Sequence, residues 1–268
     1  MNKFKNLFGD KKVVIGMIHT DASPGTFNYK GNINDIIEKA LKEALIFEEN
    51  GLAAVMIENM HDLPYINRNV GHEVSTLMSI IAYEIKQKTD LKCGIQILAG
   101  ANMQALAAAN SAGIDFIRAE SYVFSHIADE GIMHSDAGEL RRYQKMIRAE
   151  DILIFTDIKK KHSSHVLTDD INILEFAKAA QFFLSDGVII TGSSTGEEAN
   201  VNEAELIKTK IDIPVLIGSG VNEKNISTYF PFADAFIIGS CFKRDGYWAN
   251  NIDPERLNNF MNKYYKLF

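Results

Sequence analysis

Two carboxylates, two histidines and a lysine stand where short apolar runs stop. His19 follows VVIGMI, Glu58 and Asn59 follow AVMI, and Asp157 closes ILIFT ahead of Lys161 and His162. A carboxylate pair can divide acid and base work when its surroundings split the two pKa values. A histidine beside them adds a group that titrates near neutrality. A desolvated lysine can steady a developing anion or, as the free amine, form an imine. His19, Glu58, Asp157, Lys161 and His162 are therefore the candidate catalytic set. Asp157 is equally open to a structural reading, as the rim partner of Arg118 or Lys161. Lys160, in the middle of three consecutive lysines, reads as a solvated basic residue, and His165 reads as surface.

A second kind of signal comes from three small polar turns after apolar runs. They are Thr191-Gly192, Gly218-Ser219-Gly220 and Gly239-Ser240. Glycine lets the backbone approach a ligand closely, and N–H groups at a following helix start favour an anion. These residues are the candidate phosphate binders. Asn59, Gln96, Arg118 and Glu120, the remaining polar residues at strand ends, are the candidate substrate binders. The chain has no G-x-G-x-x-G after a strand and no G-x-x-x-x-G-K-[ST], which argues against a Rossmann dinucleotide site or a P-loop.

What must position these residues is a repeating unit. Apolar runs at 13–18, 54–57, 93–98, 115–118, 152–158, 187–190, 215–217 and 235–238 alternate with helical patterns. The helices are expected at 33–50, 73–88, 102–112, 137–149, 171–183, 203–209, 222–230 and 254–266, with a polar loop over 121–135. Short unbroken apolar strands indicate burial on both faces and parallel pairing. Eight such units in 268 residues predict an α/β fold, a single (β/α)8 TIM barrel spanning 1–268, with 1–11 as a preamble. An open doubly wound sheet is the competing architecture. In a barrel, residues at the C-terminal ends of strands share one face, and phosphate commonly sits after strands seven and eight.

Composition narrows the partners. A net charge of −7 excludes the basic surface that a phosphate-backbone reader needs, so no nucleic acid is expected. Two cysteines, Cys93 and Cys241, fit a reducing compartment, and no Cys/His spacing resembles a structural zinc site. There is no secretory h-region and no apolar run long enough to span a bilayer, so the expected location is cytoplasmic. The aromatic C-terminal helix (Phe260, Tyr264, Tyr265, Phe268) would pack on the barrel or on another subunit, which leaves a homo-oligomer open.

The stretches VVIGMIHTDASPG, MIENMHDLPY, TDIKKKHS, DGVIITGSSTG, PVLIGSGV and ADAFIIGSCFK resemble the BtpA/SgcQ family in order and spacing, over nearly the whole chain. The resemblance implies a TIM barrel related to phosphate-binding barrels such as phosphoribosylanthranilate isomerase. It implies importance for His19, Glu58, Asn59, Arg118, Asp157, Lys161, His162, Thr191, Gly192, Gly218, Ser219, Gly220, Gly239 and Lys243. The founding member is associated with photosystem I accumulation. Two stretches depart from the family pattern: Gln96–Asn102 and Glu120-Ser121. The leading expectation is an enzyme of isomerase, epimerase or lyase type, with no cofactor, acting on a small phosphorylated sugar or phosphoribosyl compound. A non-catalytic assembly factor is one alternative. A metal-assisted hydrolase is another, with a divalent ion on His19, His162 and Asp157.

Overall fold

The computed structural model describes residues 3–192 and 197–268. Eight parallel strands close a barrel: β1 (Val13–His19), β2 (Ala54–Glu58), β3 (Lys92–Gln96), β4 (Phe116–Ala119), β7 (Leu153–Ile158), β9 (Gly187–Ile190), β10 (Val215–Gly218) and β11 (Ala235–Ile238). β1 pairs with both β2 and β11, which completes the ring. The expected (β/α)8 architecture is the one observed. Ser193–Gly196, the end of the turn after β9, lie outside the described residues.

Alternation along the strands sorts the side chains into two cores. Val14, Ile18, Val55, Ile57, Ile154, Val188 and Phe236 point outward and pack against the helices. Val13, Ile15, Met17, Met56, Phe116, Phe155, Ile189, Leu216 and Ile237 point inward and fill the barrel. Phe116 fills so much of the axis that a Cβ on Gly94 of β3 would lie 2.0 Å from its ring, so only glycine fits there. The preamble is a short helix, α1 (Lys3–Phe8), whose Phe4 and Phe8 rings lie 6.0 Å from Phe155 and 6.1 Å from Phe116. It plugs the N-terminal end with apolar rings. The same inward register continues at the other end as His19, Glu58, Gln96, Arg118 and Asp157. The interior is apolar below and polar above.

The outer helices include α2 (Ile33–Glu49), α3 (His72–Lys88), α4 (Asn102–Ala112), α5 (Ala137–Met146), α6 (Ile173–Phe182), α7 (Val201–Lys208) and α9 (Pro254–Tyr265). Asn32 caps α2 by accepting from Asn34 N–H at 3.0 Å. Three expectations change. The loop over 121–135 carries a hairpin, β5 (His126–Ala128) and β6 (Gly131–Met133), joined by β8 (Ser163–Ser164) into a small antiparallel sheet. The cap of α6 is Asn172, not Asp169 or Asp170. The helix expected over 222–230 shrinks to α8 (Ile226–Tyr229), because Asn222 and Asn225 hold the segment before it in a side-chain-capped turn, and it ends in a 3-10 turn at Pro231, which has no N–H to continue an α-helix. Phe260 and Tyr264 of α9 are buried against the barrel, whereas Tyr265 and Phe268 are exposed. No helix among the described residues is long and apolar enough to cross a membrane.

The closing seam carries one buried ion pair. Lys243, just after β11, places Nζ 2.7 Å from both carboxylate oxygens of Glu43 on α2, and both side chains are buried. Burial pushes the lysine pKa down and the carboxyl pKa up, and each partner's charge opposes that shift. Removing one partner strands the other. Lys243→Met should cost about 3–5 kcal/mol in denaturant unfolding. Lys243→Met combined with Glu43→Leu should recover most of that loss; a double variant no more stable than the single would refute the pairing account.

Candidate functional site

Inward strand ends and the loops after them enclose a cleft with two lobes. The first, about 220 Å³, is walled by Gly218–Asn222, Ile237–Cys241, Gly246 and Arg256 on one side and by His19, Glu58, Arg118 and Lys161 on the other. The second, about 180 Å³, is lined by Tyr65, Gln96, Glu120, Asp129, Glu130, Lys160 and His162. Glu58, Met60, Arg118 and Lys161 belong to both and form the waist.

His19 is fixed by what surrounds it. Its Nδ1 lies 3.0 Å from the Trp248 carbonyl, which can only accept, so Nδ1 carries the proton and Nε2 is the bare nitrogen. Nε2 faces Glu58 Oε2 at 3.6 Å. Burial, with Lys243 nearby, pushes the imidazole down to about 3. Burial pushes Glu58 up, against the pull of Arg118 and Lys161. By distance the two side chains resemble an ion pair. Both shifts disfavour charge, and with a neutral imidazole the contact is not an ion pair. The Glu58 carboxyl takes up a proton more readily than an exposed one and faces a bare ring nitrogen.

Arg118 and Asp157 form a two-pronged pair. Nε donates to Oδ2 at 2.9 Å and Nη2 to Oδ1 at 2.8 Å, and the Asp157 side chain is fully buried. Burial opposes the guanidinium charge, but Asp157 outweighs it and raises the Arg118 pKa. Asp157 does not line either lobe, and both its oxygens are engaged. Of the two readings open for it, this geometry matches the positioning of Arg118 rather than proton transfer.

Lys160 corrects the expectation of a solvated lysine. Its Nζ lies 3.1 Å from Glu120 Oε1, with both side chains buried. Gln96 Nε2 donates to the same oxygen at 3.1 Å. Burial raises the Glu120 pKa, but Lys160 more than reverses that, so the group is an anion. Backbone inversion explains the surprise. Lys159 and His162 both take positive φ, which folds the segment back over the mouth. Lys159 instead stands over the Phe176 ring at 5.4 Å. Lys161 lies at the waist with its pKa lowered, first by burial and then by Arg118. His162 is exposed and reaches only the second lobe. His165 is half-buried rather than surface, with Nε2 2.9 Å from the Lys160 carbonyl.

The remaining candidates divide. Gly218, Ser219, Gly220, Gly239 and Ser240 line the first lobe. Thr191 and Gly192 do not: a Cβ on either Gly192 or Gly220 would lie 2.3 Å from the Glu197 carbonyl oxygen, so the Glu197 backbone lies between these turns. Asn59 stands behind the wall, where its amide donates to Asp62 at 2.8 Å and accepts from Leu98 N–H at 2.7 Å. The helix-start argument for an anion weakens, because α8 has only four residues and Asn222 N–H already donates to Asn225. Charge takes its place. Arg256, which sequence reasoning missed, lies at the lip with Nε donating to the Cys241 carbonyl at 2.9 Å. Its position on the last helix gave no local signal. His19, His162 and Asp157 do not converge, and no group of three metal-ligating side chains gathers among the described residues.

Several known proteins are similar. An uncharacterized mitochondrial protein of Caenorhabditis elegans is 45% identical over 96% of this chain and 94% of its own length. The photosystem I biogenesis protein BtpA of Synechocystis is 30% identical over 92% of this chain and 86% of its own. Among solved structures, (S)-3-O-geranylgeranylglyceryl phosphate synthase from Thermoplasma acidophilum, in complex with sn-glycerol-1-phosphate, matches with a TM-score of 0.63. It is 19% identical, with 98% of each chain covered. That last likeness is one of fold. With the profile of the BtpA family matching residues 10–266, this chain belongs to the BtpA family.

Proposed function

We propose that this chain is an enzyme that binds a small phosphorylated sugar or phosphoribosyl-type metabolite and moves a proton on it, in an isomerase, epimerase or lyase reaction. The observation that carries this reading is the shared first lobe, where two glycine turns and three cations meet the His19–Glu58 pair. The phosphate sits against Gly218–Gly220 and Gly239-Ser240, with Arg256 at the lip. Lys161 and Arg118, at the waist, face the negative charge that develops when a proton leaves a carbon next to a carbonyl. Glu58 takes that proton as the carboxylate, with neutral His19 beside it at 3.6 Å. The solved synthase that holds sn-glycerol-1-phosphate on the same fold supports a phosphorylated ligand here. The name of the Synechocystis relative supports a second reading, an assembly role that uses the barrel as a scaffold.

Two tests follow from this arrangement. Solvent deuterium should enter a carbon of at least one sugar phosphate in a panel incubated with the protein, read by NMR. Glu58→Gln should slow that exchange by about 100-fold or more, while inorganic phosphate binding stays within about twofold. Exchange that persists in Glu58→Gln rejects Glu58 as the proton carrier; no exchange with any panel member favours the scaffold. The second test is pH dependence of stability. His19 has a folded pKa of about 3, below its ordinary 6.5, so the unfolded chain binds the extra proton between these values. His19 therefore contributes stability above pH 6.5 that is lost as pH falls towards 3. Relative to His19→Gln, the wild type should lose up to about 1.4 kcal/mol per pH unit in that window by chemical denaturation. Parallel curves for the two proteins would show that His19 is not held neutral.

A further inference from the structure

The second lobe has a chemistry opposite to that of the first. Three buried oxygens of residues on its wall make no hydrogen bond among the described residues: Gln96 Oε1, Glu120 Oε2 and Glu130 Oε2. Gln96 is 1% exposed and Glu120 2%. The Gln96 amide is fixed in sense, because its Nε2 donates to Glu120 Oε1 and the turned amide would set two acceptors against each other. Glu120 is held as an anion by Lys160, and although the Gly100 N–H also lowers its pKa, Oε2 completes no hydrogen bond. An ionised carboxylate only accepts. The wall therefore offers acceptors that want donors.

The charges of the two lobes agree with this. The first lobe sets Arg118, Lys161 and Arg256 against Glu58. The second sets Glu58, Glu120, Asp129 and Glu130 against Arg118, Lys160 and Lys161. Formal charge thus turns from positive to slightly negative across the waist. His19 and His162 do not alter the balance, since burial lowers the pKa of both. A second anionic group would meet orphaned acceptors and the acidic tip of the β5–β6 hairpin at Asp129-Glu130.

We propose that the second lobe holds a hydrogen-bond-donating group, either adjacent hydroxyls or an amino group, at the end of the ligand away from its phosphate. This rests on the reading that the phosphate occupies the first lobe. It names the substrate class more narrowly: a sugar or amino-sugar monophosphate, bound lengthwise across the waist, in preference to a bisphosphate or a phosphorylated acid.

Isothermal titration calorimetry on the full chain tests it, with four probes: inorganic phosphate, ribose 5-phosphate, glucosamine 6-phosphate and fructose 1,6-bisphosphate. A monophosphate bearing donors should bind at least about tenfold more tightly than inorganic phosphate, and the bisphosphate no more tightly. That gain should fall about tenfold in Gln96→Met and in Glu130→Leu, with inorganic phosphate affinity unchanged in both. Unchanged phosphate binding also reports that the variants are folded, and Glu130, on a surface hairpin, covers the case in which Gln96→Met does not fold. A gain confined to glucosamine 6-phosphate identifies the amino group; a gain shared with ribose 5-phosphate identifies hydroxyls. No sugar monophosphate binding more tightly than inorganic phosphate, a gain untouched by both substitutions, or tighter binding of the bisphosphate than of either sugar monophosphate overturns the proposal. Failure of inorganic phosphate itself to bind is a separate result: it removes the phosphate reading of the first lobe, and this inference with it.

Discussion

The mouth of this barrel depends on Arg118 being held by Asp157. A guanidinium at the end of a buried strand is costly unless its charge and planar donors are matched. The two-pronged contact from β4 to the neighbouring β7 supplies both, and it fixes the guanidinium at the waist of the cleft. Lys161 and Glu58 then experience a fixed positive charge. It pulls the Glu58 pKa down against burial and pushes that of Lys161 further down with burial. Without the pair, a lysine and a glutamic acid at the same depth would have no common reference. Burial moves the Glu58 pKa up and the Lys161 pKa down, each toward its neutral form.

That constraint operates because the barrel is stratified. The lower interior is closed by Phe4, Phe116 and Phe155, and the inward positions above them turn polar within one or two residues of the strand ends. Below, apolar burial and close packing hold the strands together. Above, low dielectric makes each charge contact consequential. Lys243 and Glu43 extend the same logic outside the barrel, joining the loop after β11 to α2 across the seam that completes the ring. The turn at Gly239-Ser240, a few residues before Lys243, is thereby anchored from behind.

How much of this could be read from the sequence follows from how local each cause is. Strand–helix alternation is local, so the barrel was legible, as was the gathering of His19, Glu58, Gln96 and Arg118 at strand ends. Alternation would have gone further: positions 13, 15, 17 and 19, or 54, 56 and 58, share an inward face, and that parity separates Glu58 from Asn59. Non-local causes stayed hidden. Lys160 looked solvated because composition does not reveal the positive φ of Lys159 and His162, nor Glu120 waiting across the mouth. Arg256 arrives from a helix whose docking the barrel decides. Thr191 and Gly192 fitted the glycine-turn pattern, yet the Glu197 backbone separates them from the cavity.

A scaffold and an enzyme make different demands on such a mouth. A scaffold gains nothing from burying charge, and each unpaired buried acceptor costs about 1–3 kcal/mol that an apolar residue would avoid. Here Lys243 with Glu43, Asp62 and Asp136 are buried apart from the cleft, but Glu58, Arg118, Glu120 and Asp157 gather at it, with cations beside the glycine turns and acceptors at the far end. A dipolar small molecule that brings an anion to one lobe and donors to the other would relieve both costs at once. The same binding would lay the atoms between them along Glu58 and Lys161, whose pKa values burial shifts toward each other. The cost of the cleft's buried charges and unpaired acceptors and the chemistry proposed there therefore share an origin.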